Sequence, residues 1–214
     1  MGVFVTFEGP EGCGKSTQIV LLSRFLADMD VLSILTREPG GSNTGKKIRE
    51  LLLNSQNCDI KPKTELLLYA SDRAQHIEEV INPALEEGKT VLCDRFTDAT
   101  IAYQGYGRGI DLQLISDINA LATGNIKPDL TYFIDCPVEI GIKRAFKRAE
   151  SETLDEMRFE KEEISFHEKV REGYRKISES EPERVFVVDG TESIDEVHKA
   201  CVDIYKRKFG ENIA

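Results

Sequence analysis

The chain has 214 residues and little of several things. It has no apolar run near the ~18 residues that a membrane span needs, so no membrane partner is expected. No charged segment precedes its first apolar stretch, so no signal peptide is read there. Its five cysteines (Cys13, Cys58, Cys93, Cys136, Cys201) show no C-x-x-C spacing. That excludes a zinc knuckle or a disulfide framework and points to a reducing cytoplasm. The three histidines, His76, His167 and His198, are too far apart in sequence to suggest a metal set. Basic charge is also short: the net charge is −10. Broad binding to polymeric nucleic acid needs a basic footprint and is disfavoured. A mononucleotide is not, because a local cluster of Arg and Lys can hold a phosphate on an acidic protein. No internal repeat or low-complexity linker interrupts the chain, and its length suits one α/β unit with a proper core.

What is present begins with Gly9-Pro10-Glu11-Gly12-Cys13-Gly14-Lys15-Ser16, which fits G-x-x-x-x-G-K-[ST]. A β-prone segment, Val3–Phe7, precedes it, and a segment of helical spacing begins at Thr17. Backbone N–H groups of such a loop converge on phosphate oxygens, helped by the positive end of the helix dipole. Glycines permit the close approach that a Cβ blocks. Lys15 then serves the β/γ-phosphates of a nucleoside triphosphate, and Ser16 offers a hydroxyl to Mg²⁺. Cys13 reads as a small residue filling a small space. The loop alone leaves kinase, GTPase and motor ATPase open.

Strand-like and helix-like stretches alternate. Strands are expected at Val31–Thr36, Lys89–Asp94, Leu130–Asp135 and Arg184–Gly190, with helices at Thr64–Glu87 (interrupted or kinked near Pro83), Leu112–Ala122 and Ile194–Phe209. Continuously apolar runs suit parallel strands buried on both faces. The fold class is therefore α/β: a doubly wound parallel sheet of about five strands with helices on both faces. Ligands of such sheets gather at the strand C-termini, where Thr36, Asp94 and Asp135 are expected. Lys143–Glu163 is highly charged and poor in apolar residues, which reads as a solvated face or a mobile flap.

Val91-Leu92-Cys93-Asp94 delivers a carboxylate at a strand end. Beside the glycine loop, Asp94 reads as a second Mg²⁺ group, with Arg95 facing the same crevice. Thr36-Arg37-Glu38-Pro39-Gly40-Gly41 is a turn that presents Arg37 to a second phosphate. Tyr69 and Arg73 stand four residues apart on a helix and share a face, which suits base recognition or simple core packing. Gly124–Asp129 contains Asn, Lys and Asp, but not in the guanine-reading order, so GTPase is disfavoured.

These stretches, together with Leu66–His76, Asp94–Gly105 and Phe166–Tyr174, resemble the thymidylate kinase family from about residue 3 to 190. The Asp94-Arg95-Phe96-x-x-x-Thr100-x-Ala102-Tyr103-Gln104 stretch is the most specific part. The resemblance implies one kinase unit over 1–214 with a lid at about 143–160. It also implies γ-phosphoryl transfer from ATP to thymidine 5′-monophosphate (dTMP), with Mg²⁺, in a homodimer. Gly9, Pro10, Glu11, Gly12, Cys13, Gly14, Lys15, Ser16 and Thr17 then hold ATP, with Arg144 flanking adenine. Glu11 approaches the sugar 3′-OH, Arg37 and Arg95 grip the monophosphate, and Tyr69 stacks on the base. Arg73 meets a base carbonyl, Thr100 and Gln104 line the base pocket, and Tyr103 excludes a ribose 2′-OH. Ser16 and Asp94 serve the metal. Gly12 stands where one branch carries a loop arginine. The other branch takes its arginine from the lid, so Arg148 inherits that role, with Arg144 and Arg158 also candidates. Phe96 replaces a tyrosine and Thr100 a serine. A broader pyrimidine monophosphate range and a non-catalytic nucleotide switch are the competing readings.

Overall fold

The computed structural model describes residues 2–57, 59–152 and 157–210, excepting the side chains of 148–152. Among these residues, five strands form one parallel sheet in the order β2-β3-β1-β4-β5. They are β1 (Phe4–Glu8), β2 (Ser33–Arg37), β3 (Thr90–Asp94), β4 (Leu130–Asp135) and β5 (Val185–Asp189). The helices are α1 (Lys15–Asp28), α2 (Asn43–Leu53), α3 (Pro62–His76), α4 (Asn82–Glu86), α5 (Thr97–Thr100), α6 (Leu112–Thr123), α7 (Val138–Glu152), α8 (Ile164–Ser180) and α9 (Ile194–Phe209). The α/β expectation holds, and the register explains the site. Arg37 pairs with Asp94 across β2 and β3, and Asp94 with Phe7 across β3 and β1. Three chain segments distant in sequence therefore end at one edge.

The continuously apolar runs are buried on both faces only in the interior of the sheet. β1 is buried throughout, as are β3 and β4 up to their terminal aspartates. The edge strands open one face to solvent, leaving Leu35 and Val187 exposed. In β4, adjacent Tyr132 and Phe133 point to opposite sides, as period-two alternation requires. Tyr132 joins Leu22, Leu26, Cys201 and Tyr205 under α1 and α9. Phe133 joins Ala102, Val170 and Tyr174 under α8. Each such fully buried side chain contributes about 2 kcal/mol of burial free energy.

The helix expected over Thr64–Glu87 is interrupted just ahead of Pro83. It widens one turn earlier into a π-helical segment at Ile77–Ile81, and α4 starts again with Pro83 in its first turn. Proline lacks the N–H and crowds the carbonyl four residues back, so the ladder is re-registered upstream of it. A second π segment, Ile101–Gly107, carries Tyr103 and Gln104; such widened turns recur at functional sites. α9 begins with a capping box, in which Ser193 and Glu196 each satisfy the other's backbone N–H. That box fixes the loop after β5 beside the glycine loop.

Candidate active site

The glycine loop joins β1 to α1 at the C-terminal edge of the sheet. Gly14 caps α1 in the left-handed region (φ 107°) with no side-chain cap; the Thr17 N–H turns back to the Gly14 carbonyl, and the N–H groups of Lys15 and Ser16 lie at the end of the helix that favours an anion. Lys15 is buried, and its Nζ donates to the carbonyls of Gly9 and Pro10 at 3.1 and 2.9 Å. Ser16 Oγ donates to Asp94 Oδ2 at 2.9 Å. A hydroxyl and one carboxylate suit Mg²⁺, which takes few protein oxygens and completes its shell with phosphates and water. No cluster of three or more His, Cys, Asp or Glu able to hold a metal occurs among the described residues. Cys13 belongs to the main core with Ile134, as a small filler should.

Gly12 explains why no arginine stands in this loop. Its φ is +65°, and a Cβ there would lie 1.9 Å from the carbonyl oxygen of Gly141 on α7. A Cβ on Gly141 would in turn lie 2.3 Å from the carbonyl oxygen of Glu11. The loop and the root of α7 are thus in backbone contact, and only glycine fits on either side.

Arg95 follows Asp94 with φ +73°, a conformation that costs an ordinary residue about 1–2 kcal/mol. Its guanidinium offsets this with four bonds. Nη1 donates to Gly9 O and Tyr174 Oη, and Nη2 to Glu11 Oε2 and Tyr103 Oη, all at 3.0 Å. Tyr103 Oη in turn donates to Glu11 Oε1 at 2.6 Å. Burial alone would raise the Glu11 carboxyl, but Arg95 and then Lys15 outweigh it and hold it at about 2. Glu8, three residues earlier, behaves oppositely: burial and then nearby Asp98 push it up to about 8. It accepts from Phe96 N at 2.7 Å and Tyr174 Oη at 2.8 Å. Glu8 therefore props both Tyr174 and the backbone next to Arg95.

The opposite wall comes from α3 and the second π segment. Tyr69 and Arg73 share a face of α3 and line the cavity with Thr100, Tyr103 and Gln104. Arg73 is 1% exposed. Nε donates to Glu38 Oε2 at 2.7 Å, Nη1 to Thr100 Oγ1 and Asn119 Oδ1 at 3.0 and 2.8 Å, and Nη2 to Phe96 O at 3.0 Å. Its plane is fixed before any ligand arrives. Glu38 also receives His76, which binds Thr36 through its other ring nitrogen, so His76 is structural. Arg37 is exposed at the cavity rim.

Residues Met157–Glu160 belong to the charged segment read as a solvated face or a flap, and here they pack inward. Phe159 meets Tyr103 edge-on, with ring centroids 5.5 Å apart. Arg158 is buried, donating to Glu65 Oε2 at 2.6 Å and to Leu52 O. It does not line the cavity, so the structure does not bring this lid candidate to the glycine loop. Arg144 does line it and donates to Gly190 O at 2.9 Å. Arg148 stands on α7, but its side chain lies outside the described residues, as do Glu150, Glu152, Asp155 and Glu156.

One continuous cavity of about 720 Å³ joins these parts, within the range of sites that enclose small molecules. The glycine loop and Asp94 form its waist. Gly190, Glu192, Ile194 and Val197 form one end, and the Tyr69–Arg73 wall the other. Several residues that complete it escaped sequence reasoning: Glu8, Glu38, Glu65, Asn119 and Phe159. Glu38 had a signal, lying in the turn that presents Arg37. Glu65 also had one, standing four residues before Tyr69. Asn119 had none.

The thymidylate kinase family model matches residues 7–201. A thymidylate kinase of Geotalea uraniireducens is 54% identical over 212 residues, covering 99% of this chain and 100% of that one. A thymidylate kinase of Geotalea daltonii is 55% identical over 202 residues, covering 94% of each. The crystal structure of thymidylate kinase from Ehrlichia chaffeensis superposes with a TM-score of 0.77 at 34% identity, covering 95% of this chain and 98% of that one. With the family model matched over most of its length and relatives above 50% identical across nearly all of it, the chain belongs to the thymidylate kinase family.

Proposed function

We propose that this chain transfers the γ-phosphoryl group of ATP to dTMP, giving the diphosphate. The observation that supports it best is the single cavity with a phosphate loop at its waist and an aromatic–arginine wall at one end. ATP lies with its triphosphate in the Gly9–Thr17 loop and its adenine at the end bounded by Gly190 and Ile194, flanked by Arg144. The acceptor lies against Tyr69, with its base edge towards Arg73, Thr100 and Gln104. Arg37 and Arg95 hold its phosphate, Glu11 faces the sugar 3′-OH, and Tyr103 closes the space a 2′-OH would need.

A phosphate monoester is already nucleophilic, so no general base is required. Positioning and charge neutralisation supply the acceleration. Lys15 neutralises charge on the transferring group from the loop side. Arg95 orients the attacking oxygen, its own position fixed by Glu11, Tyr103 and Tyr174. Ser16 and Asp94 would hold Mg²⁺, which would supply further charge neutralisation at the phosphates. The distal part of α7 and the segment to Glu160 form a lid that excludes water. Arg148, with Arg144, is its catalytic arginine, a role for which Arg158 is poorly placed. The enzyme acts in the cytoplasm as a homodimer, for which exposed Leu67 on α3 and Leu121 on α6 supply apolar surface.

The test is ADP release with ATP, Mg²⁺ and a panel of nucleoside monophosphates. The proposal expects dTMP to be the best acceptor. No ADP release with any monophosphate would overturn it in favour of a binding switch.

A further inference from the structure

Glu65, Tyr69 and Arg73 stand at four-residue intervals on one face of α3. Tyr69 and Arg73 line the cavity, whereas Glu65 is fully buried behind it. Gln104 Nε2 donates to Glu65 Oε1 at 2.7 Å. Arg108 donates from Nε to Oε1 at 3.3 Å and from Nη2 to Oε2 at 3.2 Å. Arg158 adds a 2.6 Å bond to Oε2. Both carboxylate oxygens therefore already accept from guanidinium groups.

A carboxylate in that position only accepts, and an amide can meet it only with its nitrogen. The sense of the Gln104 side chain is thus dictated by its neighbour. Its carbonyl oxygen is the atom left for the cavity that Gln104 lines. Beside it, Arg73 offers donors only. Thymine and uracil present a ring N–H between two carbonyl oxygens, which matches one fixed acceptor next to one donor. Cytosine presents a bare ring nitrogen beside an amino group, which opposes both.

We propose that Glu65 is a positioning residue that makes the site select keto pyrimidines over cytosine by locking the Gln104 amide in one sense. This rests on the proposed reading of the Tyr69–Gln104 wall as the base pocket. Glu65→Gln replaces the carboxylate with an amide that can donate or accept, so it releases the lock while preserving shape.

The experiment compares kcat/KM for dTMP, dUMP and dCMP, with ATP, in the parent, Glu65→Gln and Gln104→Met. Thermal unfolding serves as the folding check. The expected result is that the dTMP-to-dCMP ratio falls by about tenfold or more in both variants, the scale of one mispaired buried polar group. The dTMP-to-dUMP ratio stays unchanged in Glu65→Gln, because both bases show the same edge. Arg108→Lys disturbs the same network but leaves the Gln104–Glu65 bond, so both ratios should hold. An equal loss of the cytosine ratio there would make the network merely structural and overturn the proposal. Should Glu65→Gln fail to fold, Glu65→Asp keeps the charge for both arginines and withdraws the carboxylate from Gln104. It carries the same expectation. A ratio lost in Gln104→Met but kept in the folded position-65 variant overturns the proposal and spares the pocket reading. A ratio kept in both overturns the pocket reading itself.

Discussion

Replacing Glu8 with glutamine removes a charge that the folded chain resists. Glu8 is fully buried at the end of β1. Burial and then Asp98 raise its carboxyl from 4.5 to about 8, against the opposing pull of Arg95, Tyr174 and Phe96 N–H. Between those pH values the native state keeps a proton that the unfolded chain has released. By linkage, stability then falls as pH rises through this window, and the full penalty is present above about pH 8. At 1.36 kcal/mol per pH unit, the ceiling is on the order of 5 kcal/mol. Glu8→Gln has no such proton. It also loses one acceptor for Tyr174 or Phe96, a pH-independent loss of about 1–3 kcal/mol. The variant should therefore be less stable than the parent near pH 5 and gain on it steadily towards pH 9. Urea unfolding of both proteins at each unit of pH reads the difference directly. A difference that stays flat across the range would refute the reasoning about Glu8.

Lys15→Ala should abolish phosphoryl transfer while leaving the unfolding transition near that of the parent; near-normal turnover would remove Lys15 from the chemistry. Arg148→Ala should lower kcat far more than either KM, because its contact is expected mainly in the transition state. An unchanged kcat would move the role to Arg144. By contrast, Arg158→Ala should cost stability, by roughly 3 kcal/mol or more, since it leaves Glu65 with less compensation in a buried site; a normal unfolding midpoint would contradict the buried pairing. Tyr103→Phe removes the hydroxyl that bridges Glu11 and Arg95. It should raise the KM for dTMP and improve relative activity on ribonucleotides. If the deoxy-to-ribo ratio does not move, the steric account of Tyr103 fails.

Much of this was legible in the sequence because it is written locally. The glycine loop carries its own conformation, and the apolar runs ending in Asp94 and Asp135 mark strands within a residue or so of where they form. α9 begins and ends at the residues its periodicity names, Ile194 and Phe209. What was not legible depends on partners far along the chain. Arg95 adopts a left-handed backbone only because Gly9, Glu11, Tyr103 and Tyr174 receive its guanidinium, and a dipeptide carries no trace of that. Arg158 reads as a candidate lid arginine until Glu65, 93 residues away, claims it. The exposed faces of β2 and β5 follow from strand order, which apolar content does not encode. The widened turns at 77–81 and 101–107 answer to packing and to Pro83, and the ordinary helical period conceals them.

The central claim is that donor and acceptor occupy two ends of one cavity that meet at the glycine loop. The most direct measurement uses a single molecule in which adenosine and thymidine are joined through a polyphosphate chain. Inhibition by it should be competitive against ATP and also against dTMP. Competition against one nucleotide but not the other would contradict the claim.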